Sequence, residues 1–174
     1  MKALTVDIRT ANASDADAVA GVHDAAWRLA YRGVIPAMHL ERMVQRRGSA
    51  WWASAASRSR GGILLLDVGG TIAGYATIGQ ARGGRFHIGG PWDGEVYELY
   101  IAPDYQGLGF GTRLFRMARE RLAASGRART VVWALSDNDP AVAFYRRRGG
   151  EVIGRGQERF GATNLPKLAF GFEG

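Results

Sequence analysis

The chain has 174 residues, enough for one domain with a substantial core, and its 47% hydrophobic and 22% charged content is that of a globular protein. With no cysteine, disulfides, thiolate catalysis and cysteine-ligated metals are excluded; no apolar run approaches a membrane span and the N-terminus lacks a signal-peptide core, so a cytoplasmic protein is the economical expectation. The charge of +7, from 23 basic against 16 acidic residues, favours an anionic partner, but the arginines are dispersed and no zinc-finger or RNA-recognition signature supports nucleic acid.

Val6 to Thr10 reads as a first strand. Ser14-Asp15-Ala16-Asp17 has the make-up of a helix N-cap followed by an acidic first turn. Val19, Val22, His23, Ala26, Trp27, Ala30 and Tyr31 then recur at helical spacing, until Gly33 and Pro36 end the run. A second helical region, arginine-rich on its outer side, covers Ala37 to about Ser57 with an interruption near Gly48. Two β-rich runs, Ile63 to Val68 and Thr71 to Ile78, flank Gly69-Gly70 and predict a hairpin.

The stretch from Gly79 to Gly94 is loop-like. Glu95 to Ala102 reads as a strand, and Gly109 to about Ala124 as a helix with Leu114, Phe115, Ala118 and Leu122 on one side. Thr130 to Leu135 is another strand. Asp139 is a candidate N-cap for a short helix, with Pro140 at its first position and Gly149-Gly150 at its end. Glu151 to Gly154 and Lys167 to Phe172 are β-prone. This order predicts a mixed α/β sheet in a single domain, residues 1–174.

Between the strand ending near Ala102 and the helix that follows lies Gln106-Gly107-Leu108-Gly109-Phe110-Gly111-Thr112. A glycine-rich turn that leaves a strand and opens a helix suits an anionic diphosphate, because the backbone can approach the ligand and the first helical N–H groups point outward. Downstream stands Asn138-Asp139-Pro140-Ala141-Val142-Ala143-Phe144-Tyr145, followed by Arg146 to Gly150. Together the two motifs resemble those of the GNAT superfamily of acyl-CoA-dependent N-acyltransferases. Its cofactor motif, Gln/Arg-x-x-Gly-x-Gly/Ala, is matched by Gln106, Gly109 and Gly111. Its later motif, Asn-x-x-Ala-x-x-Phe-Tyr-x-x-x-Gly-Phe, is matched at Asn138, Ala141, Phe144, Tyr145 and Gly149, with Gly150 where phenylalanine is usual.

The resemblance implies a GNAT-like fold, a mostly antiparallel central sheet flanked by helices, and acetyl-CoA as co-substrate without a metal. Gly107 to Thr112 would cradle the pyrophosphate, Arg113 would reach the adenosine phosphates, and Leu99, Tyr100 and Ile101 would pair with pantetheine as if with an extra strand. Asn138 would hold the pantetheine arm. Tyr145 is the expected general acid for the departing thiolate, and Glu98 the expected base for the amine, with Glu95 second. Strand alternation groups Glu98 with Val96 and Tyr100, although a bulge could re-aim them.

In such a fold the acceptor would sit among Trp27, Tyr31, Glu95 and Trp92, with Phe86, His87 and Asp93 nearby and residues 86–92 as a lid. His23 and His39 are read as structural or exposed. The implied reaction is transfer of an acetyl group to a primary amine of a small molecule by direct attack. Acetylation of a protein N-terminus or lysine is one alternative, and an acyl-CoA-binding sensor without turnover is another. Many members of the family form dimers, so a homodimer is a further expectation of the resemblance.

Overall fold

The computed structural model describes residues 5–82 and 91–174. It contains strand β1 (Val6–Thr10), helices α1 (Ala16–Tyr31), α2 (Ala37–Arg46) and α3 (Ser49–Arg58), and strands β2 (Ile63–Val68), β3 (Thr71–Gln80) and β4 (Gly94–Ile101). Helix α4 (Phe110–Ala124), strand β5 (Thr130–Leu135), helix α5 (Asp139–Arg147) and strands β6 (Glu151–Phe160) and β7 (Thr163–Phe172) follow. The strands form one sheet in the order β1-β2-β3-β4-β5-β7-β6, antiparallel throughout except for the β4–β5 pair. No helix among the described residues is long and apolar enough to cross a membrane.

Both faces of this sheet are covered, which explains why β2 is a continuous apolar run. Leu64, Leu66 and Val68 pack with Leu114, Phe115, Ala118 and Leu122 of α4. Ile63 and Leu65 pack on the other face with Val19 and Val22 of α1 and Trp52 of α3. Each fully buried leucine contributes about 1.5–3 kcal/mol over an exposed one. The expected α4 stripe is therefore the buried stripe.

Local boundaries differ in instructive ways. The side-chain cap ahead of α1 is not Ser14 but Asn12, which caps the short 3-10 turn Ala13–Asp15 leading into the helix. Its side chain accepts from the Ser14 N–H at 2.9 Å while Asp15 accepts from the Asn12 N–H at 2.9 Å. Likewise Asn138, not Asp139, caps α5, and Pro140 falls second. The last two strands run much further than Glu151 to Gly154 and Lys167 to Phe172, because β6 and β7 pair as one long hairpin, from Glu151↔Gly171 to Phe160↔Thr163. Polar residues hid that hairpin: its outer part is largely solvated, so it lacks an apolar signature. At the motif's departure, Phe172 occupies the room a side chain would need. A Cβ on Gly150 would lie 2.6 Å from the Phe172 ring.

His23 is completely buried between Trp27, Trp52 and Tyr75. Burial pushes its pKa from 6.5 down to about 4, with Asp24 opposing and Arg47 and Arg28 assisting. A depressed folded-state pKa means the unfolded chain takes up the proton first, so stability present above pH 6.5 is lost as pH falls toward 4. The loss should reach about 3 kcal/mol. Urea unfolding at stepped pH should show it, and His23→Leu should remove most of that slope; an unchanged slope would reject the assignment.

Candidate active site

Gly107 and Gly109 hold the turn into α4 with φ of +77° and +79°, left-handed values that favour glycine. A Cβ at either would meet no atom within 4 Å, so backbone conformation, not crowding, selects glycine, and the space above them is open. Gly111 is different, since a Cβ there would lie 3.2 Å from Phe144. Helix α4 has no side-chain cap, which leaves its first N–H groups facing out with the positive end of the helix dipole. Leu108 is exposed and Phe110 packs at the edge of the core. Arg113 reaches the Val6 carbonyl at 3.5 Å instead of standing free. Arg148, in the basic stretch that follows Tyr145 and given no site role by the sequence pattern, stacks 3.6 Å over Phe144 and donates to the Thr112 hydroxyl at this helix mouth.

Strands β4 and β5 pair only from Gly94↔Thr130 to Val96↔Val132. From Tyr97 to Ile101 the β4 edge has no ladder with β5, so Leu99, Tyr100 and Ile101 border a wedge in the sheet. Gln106 closes its far end by donating its side-chain N–H to the Ile101 carbonyl at 2.9 Å. Asn138 is buried and accepts from the Ala141 N–H at 3.3 Å as the cap of α5. Tyr145 lies in the α4 layer against Phe115, Phe144 and Phe170, with ring centroids 5.2–5.6 Å apart. Burial, and then the neighbouring Tyr31 phenol, push its pKa well above the ordinary tyrosine value.

The β3–β4 register decides which side Glu98 faces. Glu98 sits opposite Thr77 and Val96 opposite Ile78, so Tyr97 is the extra residue of a β-bulge. Alternation is thereby broken. Val96 belongs to the α4-side core with Leu99 packed against it, not with Glu98 as strict alternation predicts. Glu95, Tyr97, Glu98 and Tyr100 instead all line one cleft of about 1280 Å³.

Trp27 and Tyr31 of α1 wall this cleft, and the Tyr31 and Tyr100 hydroxyls lie 2.5 Å apart. Burial pushes the Tyr31 phenol up to about 12. Glu98 is paired with Arg47 and receives the Thr77 hydroxyl at 3.5 Å. Its burial pushes the carboxyl pKa up, and Arg47 restrains that rise. Glu95 is committed elsewhere. It pairs with the Arg82 guanidinium at 2.9 Å and accepts the Arg82 backbone N–H at 2.9 Å.

Several expected acceptor residues lie apart from the cleft. The Trp92 ring packs over Gly171 of β7 and is not a cleft wall. Asp93 accepts the Arg129 backbone N–H at 3.1 Å, fixing the approach to β5. His39 lies against Gly161, while Phe86 and His87, with most of the expected lid, fall outside the described residues. Conversely, Arg47 was not singled out by its sequence context, where it reads as part of an arginine-rich outer face, yet it turns inward. The available signal was Trp51, four positions on, whose ring covers the guanidinium at 4.8 Å. Glu158, Phe160 and Lys167 join the cleft only because the β6–β7 hairpin is long.

Comparisons with known proteins agree with this geometry. Residues 22–150 match the acetyltransferase (GNAT) family, a stretch that includes both motifs. The chain is 27% identical over 168 residues to an uncharacterised N-acetyltransferase, YuaI, of Bacillus subtilis (strain 168), covering 96% of this chain and 92% of that one. It is 36% identical over 89 residues to the mycothiol acetyltransferase of Arthrobacter sp. (strain FB24), covering 51% of this chain but 27% of the relative. The PaiA N-acetyltransferase of Thermoplasma acidophilum, solved in complex with coenzyme A, superposes with a TM-score of 0.76 at 16% identity, over 97% and 99% of the two chains. The wedge between β4 and β5, the open glycine turn and the family match lead to one conclusion: this chain belongs to the GNAT family and is an N-acetyltransferase.

Proposed function

We propose that the protein transfers the acetyl group of acetyl-CoA to a primary amine of a small molecule by direct attack within a ternary complex. The observation that carries this reading is the placement of Glu98. It faces an aromatic-walled cleft from the strand whose free edge borders the sheet wedge. The open turn at Gly107 and Gly109, with the uncapped start of α4, fits a diphosphate, and the free edge of β4 fits an extended amide chain. Asn138 borders that chain from the α5 cap.

Glu98, directly or through one water, takes the proton that the amine loses as its nitrogen bonds to the acetyl carbon. The carbon–sulfur bond breaks, and the Tyr145 phenol supplies the proton that the departing sulfur needs. Burial keeps that phenol protonated at neutral pH. Glu95, held by Arg82, maintains the local fold rather than accepting a proton. The aromatic walls of the cleft support a small acceptor over a protein terminus, and residues 1–174 act as one catalytic domain.

Thioester consumption from acetyl-CoA across amines, polyamines, aminoglycosides, amino acids and peptides tests the reading. CoA at 100 times its dissociation constant should stabilise the fold by about 2.7 kcal/mol. Stabilisation without turnover would instead support a sensor, and preferential turnover of peptides would support a protein acceptor. Tyr145→Phe should retain CoA binding and lower turnover about 100-fold. Unchanged turnover would remove Tyr145 from the acid role.

A further inference from the structure

The charges of the cleft come in pairs. Among the described lining residues, Arg47 meets Glu98, Arg82 meets Glu95 at 2.9 Å and Lys167 meets Glu158 at 2.6 Å. Of these, the Arg47–Glu98 pair lies at the candidate base itself. When Glu98 accepts a proton from an amine, its charge disappears and Arg47 is left without its counter-charge in a partly desolvated place.

Nor can Arg47 readily turn away. It caps the end of α2, and its guanidinium lies 5.3 Å from the Trp27 ring and 4.8 Å from that of Trp51. Both ring contacts hold the cation whether or not Glu98 is charged. A guanidinium acting as a plug for a simple cationic acceptor would have to abandon both rings and the carboxylate at once. An anionic group arriving with the acceptor asks for much less, since it replaces Glu98 at a cation that is already in place.

We propose that Arg47 is a fixed anion receptor and that the acceptor is amino-acid-like, an amine that also carries a carboxylate. This rests on the acetyl-transfer reading above and narrows its acceptor. The carboxylate takes the planar guanidinium, for which its two oxygens are matched, while the amine takes Glu98. The acceptor thus separates the ion pair and satisfies both halves. Glu98 is released to act as a base only when a group of the correct charge has relieved it of Arg47. The site thereby discriminates against amines that lack the anion.

The test uses the full chain, acetyl-CoA and three matched acceptor series: amino acids, their carboxamides and the corresponding decarboxylated amines. Rates are compared per concentration of free amine. For the wild type, kcat/KM for the carboxylates should exceed both other series by about tenfold or more. Arg47→Gln should bring the three series to within about twofold, chiefly by losing the carboxylates, and Arg47→Lys should restore part of the preference as a point charge without the fork. The ratio within each variant is the readout, because any altered ionisation of Glu98 acts on all three series alike.

Equal use of the series by the wild type, or preference for the decarboxylated amines, would uphold acetyl transfer and overturn the receptor role. An unchanged ratio in Arg47→Gln would overturn it as well. Should that variant fail to fold, the wild-type ratio and Arg47→Lys decide. No turnover in any of the three series with CoA binding intact would overturn this inference, while the broad amine panel separately decides the acetyl-transfer reading.

Discussion

Glu98→Gln should lower kcat for acetyl transfer by about two to four orders of magnitude, the usual contribution of a positioned general base. Glutamine keeps the shape of the side chain and its contact with the Thr77 hydroxyl but cannot take the amine's proton. The pH profile separates this from simple damage. Burial raises the Glu98 pKa from its ordinary carboxylate value, so the carboxylate form, the competent one, is gained as pH climbs through a limb displaced upward from that of a free glutamate. In wild type kcat/KM should rise through that limb. In Glu98→Gln it should be absent, while the acceptor amine's own higher limb persists. A variant with the wild-type profile would exclude Glu98 as the base. Thermal unfolding provides the control, because the change also leaves Arg47 without its carboxylate. Arg47 is 30% exposed, and water can compensate much of that loss.

Gly109→Glu should abolish measurable CoA binding, weakening it by about 100-fold or more. Two effects combine. The residue sits at φ +79°, where any side chain costs about 1–2 kcal/mol of backbone strain. More important, the new carboxylate would stand in the open space over the first turn of α4, where an anionic diphosphate would be received. Repulsion and displacement act on the ligand far more than on the fold, for an acid at a helix N-terminus is itself well tolerated. Titration calorimetry should therefore show lost affinity with modest destabilisation. Gly109→Ala serves as the comparison: its methyl meets no protein atom within 4 Å, so it carries the backbone strain without the charge. Equal losses in the two variants would assign the effect to strain, and retained binding in Gly109→Glu would move the diphosphate elsewhere.

Elements whose signal is local were legible in the sequence. The helical spacing of Leu114, Phe115, Ala118 and Leu122, the Gly69-Gly70 hairpin and the glycine turn before α4 depend on neighbours within a few positions, and all appear in the structure. The paired motifs at Gln106–Gly111 and Asn138–Gly149 likewise led to the family. Even so, short-range chemistry was ambiguous wherever two residues could serve, as at the Asn12 and Asn138 caps, where the asparagine one or two positions earlier took the backbone N–H.

What the sequence could not decide depends on pairing between distant segments. The bulge at Tyr97 exists because β3 and β4 change register there, and it alone sets Glu95 and Glu98 on one side of the sheet and Val96 on the other. The wedge beside β4 follows from where β5 stops pairing, which no local pattern encodes. Arg47 reads as one more surface arginine until α2 and α3 fold it against Trp27, Trp51 and Glu98. Side-chain periodicity specifies which residues are buried; the direction a charged group faces, and what it meets there, is fixed by register and by the packing of elements far apart in the chain.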